Sequence, residues 1–381
     1  MKKLNNKKPY SYRYAQYVAI LLITILGMQN AKSSPKLPAV RQLAFNRAKS
    51  LDNGISISWL EQTWNANILQ TEGIKPADLE LLKKLGFKSI RLPVAFKYFQ
   101  SKHIPDEQVL DCIDKAWKLC RTYGFKMIID YHYGDLADNN YQTATAEIIN
   151  TWAMIAKKYR NTDENSLFFE LYNEPPPISP QVWKDAAYNI VTAIRSIDKQ
   201  RTLLVGASNY NSIYELSRFV RLKDENIIYT FHFYEPFFFT HQGADWVGNQ
   251  MATTGVPFPY SVEKFPPLNQ KAKGTWGETN YYKYKIDGNE RSVQDKLQIV
   301  KNWGNKYTVP LLCGEYGSYD KYADEQSRCN YIKAVKKSLK QLNMPGILWD
   351  YNTNFSPFKG ATPSMDNLSD CMKEALGYKG K

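Results

Sequence analysis

The sequence predicts an α/β fold, a (β/α)8 barrel of the TIM type with a long aromatic-rich loop after its sixth strand. Three observations predict it. Eight short apolar runs alternate with longer amphipathic segments, the pattern of repeated βα units. Successive runs start about 25 to about 41 residues apart, except between the sixth and seventh, where about 80 residues intervene. Polar or ionisable residues stand at the carboxyl ends of the runs, the end where parallel barrels carry their chemistry.

In chain order, the N-terminus comes first. Lys2, Lys3, Lys7, Lys8 and Arg13 precede an uncharged apolar run from Tyr17 to Met28, followed by Gln29-Asn30-Ala31-Lys32-Ser33-Ser34. Residues 1–31 therefore read as a secretory signal peptide, which makes the mature chain secreted or periplasmic. The apolar run is about half the ~20 residues of a spanning helix, so no permanent membrane anchor is expected. Residues 32–50, rich in Ser, Pro and Lys, read as a linker, and residues 51–381 as one catalytic domain, a monomer. With 43% hydrophobic and 23% charged residues the chain can bury a large core. Its net charge of +13 includes five basic side chains in the leader, and no basic block accompanies a nucleic-acid motif, so no nucleic-acid partner is expected.

The strand candidates start near Gly54 (GISIS), Lys88 (KSIRLP), Lys126 (KMIIDYH), Leu167 (LFFELYNE), Thr202 (TLLVGA), Ile227 (IIYTFHFY), Val309 (VPLLCGE) and Gly346 (GILWDY). Helical patterns run from Pro76 to Leu85, Asp106 to Tyr123, Ala144 to Tyr159, Pro180 to Ser196, Ser292 to Tyr307 and Glu325 to Leu342. The first opens on Pro76 and stops at Gly86, proline inside the start and glycine past the end. The stretch 235–290 holds Phe237, Phe238, Phe239, Trp246, Phe258, Tyr260, Trp276, Tyr281, Tyr282 and Tyr284. It leaves from the carboxyl end of a strand, so a loop over the active face is a better reading than a second domain. Its rings either stack on sugars or form a core of their own.

Of five cysteines, Cys112 and Cys120 lie eight positions apart on one helix, roughly 12 Å, too far to pair. Cys329 with Cys371 is the pairing to test first, and Cys313 reads as a buried thiol. Four histidines without a close ligand spacing argue against a metal site, and no cofactor is expected.

The candidate chemistry centres on Leu171-Tyr172-Asn173-Glu174-Pro175. Three prolines from Pro175 to Pro177 stop the fourth strand and leave Asn173 and Glu174 projecting from its end. Around them stand Arg91 on the second strand, His132 on the third, His232 and Tyr234 on the sixth, Glu315 on the seventh and Trp349 on the eighth. Two glutamates facing each other across a barrel mouth suit retaining glycoside hydrolysis, which needs two carboxyls about 5 Å apart. Arg91 and Tyr234 favour an ionised Glu315, the nucleophile. Glu174, partly buried opposite that carboxylate and tuned by His232, is the acid and then the base. Asn173 can bond a sugar 2-hydroxyl, Trp349 offers a flat floor, and Trp59, Trp64, Tyr210, Trp246 and Trp276 are candidate platforms.

On Arg91 in SIRLP, His132 in IIDYH, Asn173 and Glu174 in LYNEP, His232 and Tyr234 in FHFY, Glu315 in GEYG and Trp349 in ILWDY, the chain resembles glycoside hydrolase family 5, the cellulase family A enzymes, over about residues 50 to 352. The resemblance implies a (β/α)8 barrel, net retention, no cofactor, and a β-linked polysaccharide or oligosaccharide as substrate. An endo-β-1,4-glucanase is the leading expectation, with an exo-β-glucanase or a β-mannanase as alternatives. The segment from Asn53 to Glu61 follows the family's glycine-rich opening only loosely, and the loop after Tyr234 is longer than in many members. A non-catalytic sugar-binding barrel would have lost one glutamate, and both are here.

Overall fold

The computed structural model describes residues 37–63, 69–360 and 362–380. Residues 1–31, where a signal peptide is expected, and Trp64 lie outside them. Ala39–Lys381 is one compact unit. Its eight strands are β1 (Gly54–Ser56), β2 (Ser89–Val94), β3 (Lys126–Tyr131), β4 (Leu167–Glu170), β5 (Leu203–Val205), β6 (Ile227–Phe233), β7 (Leu311–Tyr316) and β8 (Gly346–Leu348). They close in that order into a barrel in which every neighbouring pair is parallel.

Alternation along the strands explains why nearly continuous apolar runs serve here. Met127, Ile129, Leu167, Phe169, Tyr229 and Phe231 face the surrounding helices in the main core. The intervening Ile128, Phe168, Leu204, Ile228, Leu312 and Ile347 pack together as a separate cluster inside the barrel. Two residues further along β3, β4 and β6 the same inward parity brings Asp130, Glu170 and Thr230, and Arg91 of β2 joins them, all fully buried. An apolar plug thus supports a polar layer above it.

The inner cluster also contains Ala48 and Leu51. Residues 32–50 do not form a linker throughout: Ala39–Ser50 is a helix whose buried Ala44, Arg47 and Ala48 lie on one face. Arg47 donates to the Gln200 carbonyl at 2.8 Å and to the Thr202 hydroxyl at 2.8 Å, which fastens the helix beside the start of β5. Its apolar face consists of small residues and its buried arginine finds its acceptors on the distant Asn165, Gln200 and Thr202, so hydropathy reads the segment as polar.

The predicted helices appear at Pro76–Lys84, Asp106–Tyr123, Tyr141–Tyr159, Pro180–Ile197, Glu290–Tyr307 and Glu325–Gln341. In the long loop after β6, Phe238, Phe239, Phe258 and Tyr284 are buried, Phe265 stacks on Tyr284 at 5.5 Å and 7°, and the Tyr284 hydroxyl donates to the Pro257 carbonyl at 2.6 Å. These buried rings join the main core, Phe239 and Phe258 both packing on Tyr331 at 5.5 Å. Among the described residues no helix is long and apolar enough to cross a membrane.

Cys329 and Cys371 form a disulfide, with Cα atoms 6.1 Å apart, that ties the Glu325–Gln341 helix to the Asp370–Leu376 helix. Cys112, Cys120 and Cys313 are buried free thiols. The bridge spans 42 residues. By loop-closure entropy it stabilises the fold by roughly 4 kcal/mol. The double variant C329S/C371S is expected to lose most of that, read as a lower urea midpoint, with a slope no smaller than that of wild type because the unbridged unfolded chain is less compact. An unchanged midpoint would show that the C-terminal helix is held by packing alone.

Candidate active site

Arg91 is the hub of the polar layer. Its Nε and Nη2 donate to the two oxygens of Glu170 at 2.7 and 3.1 Å, its Nη1 to Glu315 Oε1 at 2.7 Å, and its Nη2 to Asn173 Oδ1 at 2.8 Å. Asp130 Oδ2 lies 3.1 Å from the same Nη2. Burial would lower the guanidinium pKa, but Asp130, Glu170 and Glu315 outweigh it and raise it well above its ordinary value. Arg91 sits within β2, paired with Ile128 of β3, rather than at the strand's end. Reaching upward from mid-strand is what lets one side chain touch four others.

Glu315 arrives by an irregularity in β7. Pairing with β6 runs Phe231 to Cys313 and then His232 to Glu315, so Gly314 is the extra residue. A Cβ there would meet the Thr230 hydroxyl at 2.5 Å, so glycine is required for the close approach. The bulge turns Glu315 inward, where Tyr234 donates to Oε2 at 2.8 Å while Arg91 holds Oε1.

Glu174 stands beyond the end of β4. Its Oε1 lies 2.7 Å from His232 Nδ1, which is also 3.4 Å from Glu315 Oε2. One oxygen of each glutamate and one nitrogen of His232 lie within 4.8 Å of one another. Burial pushes Glu174 up to about 7, with Arg91 pulling the other way. Burial also raises Glu315, against the pull of His232 and Arg91. The donors separate the two carboxyls: Glu315 takes a charged guanidinium and a phenol, Glu174 one imidazole that burial keeps neutral at about 4. The close approach of Glu174, His232 and Glu315 could also hold a metal ion, a juxtaposition invisible in the histidine spacing. All three are already engaged with one another and with Arg91 and Tyr234.

His132 places Nδ1 2.7 Å from Asp130 Oδ2, and its ring lies parallel to that of Trp349 at 5.5 Å. That contact holds the indole flat against the cavity. Burial lowers His132 to about 3 and raises Asp130 to about 7. Asn173, its side-chain Oδ1 taken by Arg91, keeps its side-chain NH2 for the cavity it lines.

Two cavities meet at Glu174. One, of about 530 Å³, is lined by His132, Asn173, Glu174, Glu315, Trp349 and others. The second, of about 740 Å³, is lined by Glu174, Tyr210, Tyr214, His232, Phe237 and others. Tyr234, His241 and Trp246 border both. Of the predicted platforms, Tyr210 and Trp246 are about half exposed and line the cleft. Trp59 is not a platform: it is buried, its indole N–H donates to the Gln70 carbonyl at 2.8 Å, and Gly73 lies against its ring. Trp276 lies 6.1 Å from Phe237 and lines neither cavity.

Several members were not singled out from the sequence. Asp130 and Glu170 complete the partners of Arg91; the signal was an acid inside an otherwise apolar strand at inward parity. His241, from the long loop, stacks on Phe237 at 4.0 Å and borders both cavities. Glu61 is fully buried after β1, accepts from the Tyr133 hydroxyl at 2.7 Å, and burial pushes it up to about 8. It lines the first cavity as a neutral acid.

A family model described as Cellulase (glycosyl hydrolase family 5) matches residues 51–355. Endoglucanase 3 of Fibrobacter succinogenes is 28% identical over 362 residues, 87% of this chain and 53% of that protein, so the chain spans about half the length of this relative. Endoglucanase C of Acetivibrio thermocellus is 31% identical over 294 residues, 73% of this chain and 84% of that one. The solved structure of the endoglucanase Cel5A of Thermotoga maritima superposes with a TM-score of 0.70 at 24% identity, covering 87% of this chain and 99% of the other. With the family model spanning most of the barrel, the chain belongs to glycosyl hydrolase family 5.

Proposed function

We propose that the protein is an exported endo-β-1,4-glucanase that cleaves with retention, Glu315 acting as nucleophile and Glu174 as acid and then base. The carrying observation is the position of the two glutamates. Glu315 lines only the first cavity, whereas Glu174 stands where both meet. A glucan lying through both would place one ring over Glu315 and Trp349 and its leaving-group oxygen at Glu174. Cleft on both sides of the cut suits attack inside a chain, and the names of the endoglucanase relatives support the same reading.

In the first step Glu315, ionised by Arg91 and Tyr234, attacks the anomeric carbon while Glu174 gives its proton to the departing oxygen. The glycosyl–Glu315 ester forms and the glycosidic bond breaks. Glu174, now a carboxylate, takes a proton from water, whose oxygen displaces Glu315 and restores the starting configuration. A carboxyl titrating near 7 suits both halves. The site is complete within one chain, so a monomer suffices. Export fits the basic and apolar leader and the Cys329–Cys371 bridge, since disulfides persist in oxidising compartments.

Purified protein is expected to lower the viscosity of carboxymethylcellulose quickly, to release mixed oligosaccharides from it and from mixed-linkage glucan, and to form the β-anomer first. Products of a single length from the outset would make it exo-acting. No reducing ends from these or from glucomannan would end the proposal.

A further inference from the structure

The turn after β5 adopts an unusual backbone. Asn209, Tyr210 and Asn211 have φ of 58°, 61° and 55°, three consecutive left-handed residues. Asparagine tolerates this region; tyrosine does not readily. The turn is pinned to the segment that carries Glu174: the Asn209 N–H donates to the Pro176 carbonyl at 3.1 Å and the Tyr210 N–H to the Pro175 carbonyl at 2.9 Å. Asn211, fully buried, donates through Nδ2 to the Asn173 carbonyl, and the same nitrogen lies 3.4 Å from His232 Nε2.

We propose that Asn211 is a positioning residue for the reaction: it fixes the tautomer of His232, and through it the oxygen of Glu174 that carries the acid proton. The inference rests on the reading of Glu174 as acid/base. The Asn173 carbonyl can only accept, so the Asn211 NH2 must face it, and the Asn211 carbonyl oxygen turns toward Gly206. A Cβ at Gly206 would stand 1.5 Å from that oxygen, so the position must stay glycine for the amide to fit. His232 Nε2 therefore meets a donor and presents its lone pair. Its hydrogen goes to Nδ1, which faces two acceptors, Glu174 Oε1 at 2.7 Å and Glu315 Oε2 at 3.4 Å. With Oε1 already accepting, the proton of the neutral Glu174 resides on Oε2, the oxygen left for the substrate. Without the Asn211 donor the ring can carry its hydrogen on Nε2. Nδ1 would then accept the Glu174 proton and hold it away from the leaving group.

The test compares Asn211→Leu, which keeps the branching of the side chain without its donor, with wild type on two substrates. Cellotetraose needs an acid; 2,4-dinitrophenyl β-cellobioside, whose leaving group departs unaided, does not. kcat/KM on cellotetraose is expected to fall about 10- to 100-fold, while kcat/KM on the dinitrophenyl glycoside falls less than about 3-fold. Asn211→Asp places a carboxylate beside Nε2 and favours a doubly protonated His232. That cation stabilises the ionised form of Glu174, so the alkaline limb of the cellotetraose profile moves down by about one pH unit. Equal losses on both substrates, or unchanged pH profiles, would reduce Asn211 to a packing role. If the variants do not fold, the ring-nitrogen shifts of His232 in the wild-type enzyme decide: hydrogen on Nδ1 upholds the proposal and hydrogen on Nε2 overturns it. Wild-type protein inactive on every β-glucan would instead remove the functional reading beneath it.

Discussion

Glu315→Ala is expected to bind cellotetraose about as well as wild type and to cleave it roughly 10⁴-fold or more slowly, because the other carboxyl cannot cover both steps. The truncation leaves Arg91 with Glu170, Asp130 and Asn173, so the buried cation keeps partners and the barrel should fold. The deeper question is which glutamate attacks, since burial raises both. Azide separates the roles through stereochemistry. With the nucleophile truncated, azide fills the gap beside Arg91, displaces an activated leaving group once, and yields an α-glycosyl azide. With Glu174 truncated instead, the glycosyl–Glu315 ester still forms and azide displaces it in a second inversion, giving the β-glycosyl azide. Azide products of the opposite configurations would exchange the two assignments. They would also mean that a guanidinium and a phenol on one carboxylate do not decide which group is ionised.

What the sequence could disclose, and what it could not, follows from how each feature is encoded. Strands and flanking helices are carried by local periodicity, which is why Asp106–Tyr123 is legible to the residue. Glu174 is legible because three prolines follow it just past the end of β4, and Glu315 because Gly314 marks a close approach. Asp130 and Glu170 are a matter of parity: each reads as one acid in an apolar run until the barrel closes and Arg91 meets both. Trp59 misleads because an aromatic just past a strand suits a platform equally well. Its direction is set by Gly73, whose missing side chain leaves room for the indole against the chain. The role of Asn211 needs a left-handed turn, a glycine five positions earlier and a histidine from the next strand, and no local pattern joins these.

Arg91→Met is expected to abolish measurable activity and to cost roughly 3–5 kcal/mol of stability at neutral pH, the scale for breaking a buried ion pair from one side. The reason is the number of acids that one cation serves. Asp130 and Glu170 are fully buried, Glu315 is 6% exposed, and all three touch the guanidinium. Once it is gone, those carboxyls must bind protons to remain dry, so their folded pKa values rise further above the unfolded ones. A group raised in this way stabilises the fold below its unfolded pKa and loses that contribution as pH climbs through the folded value. The deficit of the variant should therefore be small near pH 4 and should widen through pH 8, followed as urea midpoints across that range. Arg91→Lys should rescue little, because an ammonium has three donors and no planar fork to span Glu170 while reaching Glu315 and Asn173. A variant as stable as wild type at pH 8 would mean that the acids of the polar layer are already neutral in the native enzyme. In that case Arg91 could not be what keeps Glu315 ionised, and the nucleophile's charge would have to come from Tyr234 and His232 alone.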